Sequence, residues 1–291
     1  MEYCFGVDIG GTTVKMGLFT IEGKLLEKWE IKTRTEQEGE AILPDVADSL
    51  NQKMEEKKLG KEQVSGIGIG IPAPVNAEGI VQNTANLGWG YKEVRKEMED
   101  LTQMKVAVGN DANMAALGEM WLGAGKGEKN LIMVTLGTGV GGGIVVGGKL
   151  YGGANDMAGE IGHMVVAVGG LPCNCGRRGC LEAYASATGM IRLATMALED
   201  GEDSVLRGKM AANGGKLTAK MVCDACDEEE KVAVRVFQDY CMYLGSGLAS
   251  LVNILQPEII IIGGGVAGYG EKLLQPLREI VAKESFKGVS R

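Results

Sequence analysis

Two stretches of the chain use the same device: a short apolar strand, a glycine-rich turn, and a second apolar strand. The first runs from Tyr3 to Ile9, turns on Gly10-Gly11-Thr12-Thr13 and returns over Val14 to Phe19; the second is Leu131 to Leu136, Gly137 to Gly143, then Ile144 to Gly147. Glycines between strands let main-chain N–H groups close on an anion, and the hydroxyls of Thr12, Thr13 and Thr138 add donors. One such turn alone is equally an ordinary hairpin. Two matching turns, with Gly263-Gly264-Gly265 closing a third apolar strand, point to a nucleotide clamped between two lobes. Neither turn has the four-residue spacing before Gly-Lys-Ser/Thr of a P-loop. The length of 291 residues favours two domains, and the internal repeat sets the expected boundary near residue 111.

The other elements follow from periodicity. Leu25 to Lys32 completes a three-strand meander, and Leu43, Val46, Leu50 and Met54 recur at helical spacing, with Pro44 near the start and Gly60 beyond the end. Val64 to Ile71 and Lys105 to Gly109 read as strands, and Ala112 to about Trp121 as a helix. Further on, Leu181 to Leu198 and Asp227 to Leu255 are predicted helices, the second opened by a capping-box spacing from Asp227 to Glu230. Gly208 to Gly215 reads as a surface loop, Glu258 to Ile262 as a buried strand, and Tyr269 to Lys283 as a final helix.

Thirty Lys and Arg against 38 Asp and Glu leave a formal charge of −8 with no basic stripe, which argues against a nucleic-acid partner. The longest uncharged run, Leu131 to Gly148, has seven glycines in 18 residues and so reads as strand, turn and strand, not as a membrane span. The first residues show no secretory signal, and seven cysteines, three of them between Cys173 and Cys180, suit a metal site in a reducing compartment. A cytoplasmic location is expected.

Asp8 ends the first strand beside its glycine turn, where a carboxylate can hold Mg²⁺ directly or through water. Asp111 stands between a strand and a helix, which is equally the place of a helix cap, yet an acceptor carboxylate is what a hydroxyl nucleophile needs during phosphoryl transfer. Asn86 and Asn110 are suited to orienting a polyol. The sharpest local signal is Cys173-Asn174-Cys175-Gly176-Arg177-Arg178-Gly179-Cys180, ten residues after His163, the chain's one histidine. Three thiolates and one imidazole make a closed tetrahedral Zn²⁺ site of structural type. Thiol redox chemistry fits this cluster less well, since it lacks Cys-x-x-Cys; Cys223 and Cys226 have that spacing but read as two half-buried thiols on a helix.

Asp8-Ile9-Gly10-Gly11-Thr12, Leu136-Gly137-Thr138-Gly139-Val140-Gly141-Gly142-Gly143, Gly159-Glu160-Ile161-Gly162-His163 and Cys173-x-Cys175-Gly176-x-x-Gly179-Cys180-Leu181-Glu182 together resemble the ROK family of the actin and sugar-kinase superfamily, over nearly the whole chain. Asn86-Leu87-Gly88-Trp89 makes it most similar to the bacterial glucokinases of that family. The resemblance implies an α/β, two-lobed, ribonuclease H-like fold with a mixed sheet in each lobe and ATP and sugar in the interlobe cleft. The lobes would be 1–111, with the first phosphate loop and part of the sugar site, and 112–291, with the second loop, the zinc knuckle and the glycine turn flanking adenosine.

By position, the resemblance makes Asp111 the base for the sugar 6-hydroxyl, and Asn86, Asn110, Asp111, Glu160, His163 and Glu182 the sugar ligands. Asp8, Gly10, Gly11, Thr12, Thr13, Lys15, Gly137, Thr138, Gly139, Gly141, Gly142, Gly264 and Gly265 would serve ATP and its Mg²⁺, and His163, Cys173, Cys175 and Cys180 the zinc. His163 would use one ring nitrogen for the metal and the other for the sugar. A homodimer or homotetramer is implied. Two departures stand out: Pro72-Ala73 replaces the usual Pro-Gly near the sugar, and the chain stops at Arg291, where relatives usually add a strand and a helix.

The expected activity is thus ATP-dependent phosphorylation of a hexose, glucose first. Kinases for N-acetylmannosamine, N-acetylglucosamine or fructose share these motifs. A sugar-sensing repressor of the family would need a DNA-binding domain ahead of Tyr3, and an actin-like ATPase would lack the cysteine knuckle and the Asn110-Asp111 pair.

Overall fold

Short runs of apolar and β-branched residues on either side of a glycine turn make strands of both repeats. In the computed structural model, which describes residues 2–84 and 86–289, each repeat opens its own α/β unit. The first unit comprises Met1–Lys126 with Leu150–Ala158, the second Gly127–Lys149 with Gly159–Arg291.

In the first unit, β1 (Tyr3–Ile9), β2 (Thr13–Thr20) and β3 (Leu25–Lys32) form the expected meander. β4 (Val64–Ile71) follows helix α1 (Ile42–Lys57); a small ribbon, β5 (Ile80–Val81) with β6 (Lys92–Glu93), precedes helix α2 (Val94–Thr102) and β7 (Val106–Asn110). The sheet order is β3-β2-β1-β4-β7, antiparallel across the meander and parallel through β1, β4 and β7. Parallel neighbours need a crossover, which α1 and α2 supply. Ile67, Ile69 and Ile71 of β4 share one fully buried face, each contributing about 1.5–3 kcal/mol through burial. Ile42, Leu43, Val46, Leu50 and Met54 of α1 pack in the same core. α1 ends at Lys57, before Gly60, with Lys58 in the left-handed conformation as its cap. Helix α3 (Asp111–Leu122) packs with β4 and β7 in this unit.

The sheet opened by the second repeat comprises β8 (Leu131–Leu136), β9 (Val140–Val146), β10 (Lys149–Leu150) and β11 (Ile259–Gly263) in the order β10-β9-β8-β11, with β8 and β11 parallel. The helices of the second unit are α4 (Glu182–Ala185), α5 (Ala187–Glu199), α6 (Val205–Ala212), α7 (Ala219–Asp227), α8 (Lys231–Leu255) and α9 (Glu271–Glu284). Both sheets are mixed, and each unit has a separate apolar core.

Four sequence expectations change here. The helix expected over Leu181 to Leu198 breaks at Ser186, whose hydroxyl accepts the Gly189 N–H and caps α5. Asp227 ends α7 instead of opening α8, and the α8 cap is Glu230, which accepts from Ala233 N–H at 2.7 Å. The expected loop over Gly208 to Gly215 begins inside α6, because Leu206 anchors that turn in the core and overrides the glycine. The final helix starts at Glu271, after a 3₁₀ turn over Gly265–Tyr269.

Candidate active site

In the first unit the polar candidates gather at one edge of the sheet. The parallel strands β1, β4 and β7 bring Asp8 level with Gly70, and Gly70 level with Gly109, so that Asp8, Asn110 and Asp111 all lie at strand C-terminal ends. Ligands of open α/β sheets bind at this edge. The missing side chains of Gly70 and Gly109 make room for Met114 of the helix that follows Asn110, since a Cβ on Gly109 would stand 2.3 Å from Met114 Cε. Lys15 lies directly across the antiparallel pair from Asp8, and both are exposed.

The capping role that was an open alternative for Asp111 falls to Asn110. Its Oδ1 accepts from the N–H groups of Ala112 (3.0 Å) and Asn113 (3.2 Å), while its Nδ2 donates to Ala73 O at 3.3 Å. Asp111 therefore opens α3 with one carboxylate oxygen accepting from Ala112 N–H at 2.7 Å. Desolvation raises the Asp111 pKa above its ordinary value, with the Asp8 charge pushing the same way; the Ala112 N–H opposes both. A carboxylate made more basic while still solvent-accessible suits proton acceptance.

The first glycine turn is held tightly. Gly10 N–H donates to Thr13 O at 3.1 Å, and Gly11 comes so close to Asn86 that a Cβ there would stand 3.1 Å from the Asn86 Cβ. The structure thus brings Asn86 to the turn. Trp89, 2% exposed, donates its indole N–H to Gly39 O at 3.0 Å and fixes the segment carrying Asn86.

In the second unit, the loop between β8 and β9 is strapped from three directions. Ala187 N–H donates to Gly137 O (2.8 Å), Thr188 Oγ1 donates to Thr138 O (2.9 Å), and Glu182 Oε2 accepts from Val140 N–H (3.0 Å). The other Glu182 oxygen lies 3.7 Å from Cys173 Sγ, so this carboxylate joins the glycine loop to the cysteine knuckle. A cavity lined by Thr138, Glu182 and Cys173 opens beside them. Glu160 is exposed at the head of the short 3₁₀ turn that carries His163. That turn lies against β9, and a Cβ on Gly162 would stand 2.2 Å from Val140 O. Gly264, with φ of +86°, packs against Leu136, so the third glycine run reaches the start of the same loop, while Gly265 has open space around it.

His163, Cys173, Cys175 and Cys180 converge, with all donor atoms within 4.8 Å of one another. Cys175 Sγ to Cys180 Sγ and Cys173 Sγ to His163 Nδ1 are both 3.7 Å. A tetrahedral ion with metal–sulfur bonds of about 2.3 Å has edges of about 3.7 Å, so the residues fit zinc. Burial raises the Cys173 thiol above its ordinary range, and a bound cation would favour its thiolate. Cys223 and Cys226 stand on α7, where burial pushes the Cys223 thiol up to about 11 and leaves it inert.

Sequence reasoning missed Thr33 and Gly39, which support the first turn and the Asn86 segment. Neither belongs to a recognisable spacing, and their partners are far away in sequence. No helix among the described residues is long and apolar enough to cross a membrane.

Comparison with known proteins shows the family of the chain. The family model described as "ROK family" matches residues 4–291. A glucokinase of Halalkalibacterium halodurans is 45% identical over 276 residues, 94% of this chain and 83% of that protein. A glucokinase of Thermotoga maritima is 38% identical, over 95% of this chain and 86% of its own length. Among solved structures, a ROK family glucokinase from Streptomyces griseus in complex with glucose and AMPPNP superposes with a TM-score of 0.80 at 33% identity, covering 99% of this chain and 91% of that one.

Proposed function

The chain belongs to the ROK family, and from that premise we propose that it phosphorylates glucose at the 6-hydroxyl with ATP. The fold is that of the family's two-domain, actin-like sugar kinases. One juxtaposition carries the reaction: Asp111, with a raised pKa and one oxygen held by Ala112 N–H, at the same strand-end edge as Asp8, with β4 between their strands. The glucokinases that match most of the chain supply the choice of sugar.

In this reading the Asp111 carboxylate accepts the proton of the sugar 6-hydroxyl as that oxygen forms its bond to the γ-phosphorus and the bond to ADP breaks. Asn86, Asn110, Glu160, His163 and Glu182 hold the sugar hydroxyls, Asn110 and Glu182 with the capacity left after their internal bonds. The turns at Gly10–Thr13 and Gly137–Gly143 hold phosphates, Lys15 adds positive charge, and Gly264 and Gly265 flank the adenosine. Asp8 holds Mg²⁺, which when bound neutralises charge on the phosphates. His163, Cys173, Cys175 and Cys180 hold zinc, which fixes the His163 ring and leaves its other nitrogen for a sugar hydroxyl.

Phosphoryl transfer asks chiefly for position and charge neutralisation, which backbone donors held by side-chain straps can supply. Coupled ADP release with Mg-ATP tests the reading, against glucose, mannose, fructose, N-acetylglucosamine and N-acetylmannosamine, with a control lacking sugar. Selective glucose turnover is expected. Equal ADP release without sugar would refute it.

A further inference from the structure

Thr33 follows the last residue of β3, and the β2–β3 register, Thr13 opposite Lys32, sets it across from Thr12 at the mouth of the first glycine turn. It is 4% exposed, so its hydroxyl needs a protein partner. That partner is Gly10: Thr33 Oγ1 donates to Gly10 O at 2.6 Å, and Thr33 N–H donates to Thr12 O at 3.0 Å. Thr33 thus grips the carbonyls on both sides of Gly11. In a trans peptide the C=O of one residue and the N–H of the next point in opposite directions. Drawing the Gly10 carbonyl towards Thr33 therefore turns the Gly11 N–H the other way, as a fixed donor.

The far end of the same segment is pinned as well. Gln37, Glu38 and Gly39 have φ of 53°, 57° and 68°, three successive left-handed residues, a conformation that persists only where its surroundings impose it. Here the Trp89 indole holds Gly39 O, and Gly88 comes so near Glu38 that a Cβ there would stand 3.2 Å from its Cα. Gly11 touches Asn86 in turn, so the contacts close a ring from the glycine turn through Thr33 and Gly39 to the Asn86 segment and back.

We propose that Thr33 is a positioning residue for the donor nucleotide, acting through Gly10 to aim the Gly11 N–H at a phosphate oxygen. The proposal rests on reading that turn as a phosphate loop. It assigns nucleotide affinity to one buried hydroxyl outside the glycine motif, with the ring to Asn86 keeping that hydroxyl in place.

The test compares Thr33→Val, which keeps the shape and removes the hydroxyl, with Thr33→Ser, which keeps the hydroxyl. Losing one buried hydrogen bond should weaken Mg-AMPPNP binding, read by calorimetry without sugar, by about threefold to tenfold in Thr33→Val, with a matching rise in KM for ATP. KM for glucose should stay within about twofold, and Thr33→Ser should restore nucleotide binding. Unchanged nucleotide affinity in Thr33→Val would overturn the proposal, as would equal losses in both variants or equal losses for glucose and nucleotide. Because the binding measurement needs no turnover, a wild-type protein that binds nucleotide but phosphorylates no sugar would strike the kinase reading and leave the Thr33 assignment to stand or fall on the variants.

Discussion

Asp111→Asn separates the proton acceptor from everything else at its position. In the native side chain one oxygen accepts from Ala112 N–H at 2.7 Å, and an asparagine carbonyl oxygen can take the same place. The amide nitrogen then stands where the second carboxylate oxygen was, presenting N–H bonds where a hydroxyl needs a lone pair. General-base catalysis is worth about 10²- to 10⁴-fold, or about 3–5 kcal/mol of barrier, so kcat should fall by that factor. Glucose binding, followed by calorimetry, should survive. A kcat within tenfold of wild type, measured by coupled ADP release at saturating substrates, would refute the assignment.

The same substitution has a signed effect on stability. Desolvation, with Asp8 nearby, raises the folded-state pKa of Asp111 above its unfolded value, so the folded protein favours the protonated form. Above the raised pKa the ionised carboxylate costs stability, and that cost disappears as pH falls through it. The asparagine variant should therefore unfold at the same or a higher temperature than wild type at neutral pH, with the difference shrinking in acid. In the wild-type enzyme the acid limb of kcat/KM should lie above the ordinary aspartate range of about 3.9. A variant less stable at neutral pH than in acid, relative to wild type, would contradict this sign.

Other residues give shorter tests. Cys175→Ser should lower zinc content and glucose affinity together, and a full zinc complement by metal analysis would refute the ligand set. Gly39→Ala places a Cβ 2.3 Å from Leu87 O at a φ of +68°, and should cost about 1–3 kcal/mol in urea unfolding. An unchanged midpoint would show that the ring around Trp89 can relax. Glu182→Ala strands the Val140 N–H, a charge-assisted bond worth about 1.5–3 kcal/mol, and should raise KM for ATP as well as for glucose. A change confined to glucose would limit Glu182 to the sugar.

Much of the scaffold follows from short-range pattern. The first glycine hairpin, β4 and the apolar face of α1 obey periods of two and 3.6, the second hairpin reads as near-continuous apolar runs around its glycines, and the structure repeats them. Errors came where a local signal had competitors nearby. Asp227 and Glu230 have the spacing of a capping box, but the side chain that meets a free N–H is Glu230. Ser186 splits a continuous apolar pattern because its hydroxyl satisfies Gly189 N–H better than another helical turn would.

The cysteine knuckle was legible because its ligands lie within one short segment and metal chemistry dictates their types; the structure adds the 3.7 Å edges that a tetrahedral ion requires. What the sequence by itself determined is backbone conformation and residue chemistry: glycines where the chain must turn, carboxylates at strand ends, thiols at metal spacing. Only tertiary structure decided which polar atoms are already engaged. It tied Asn110 Nδ2 to Ala73 and Glu182 to Val140, desolvated Asp111 into the more basic carboxylate, and set Thr33 and Trp89 around the first turn. The physical reason is range, since a hydrogen bond depends on direction and distance between atoms, and residues as far apart as Gly39 and Trp89 acquire both only when the chain has folded.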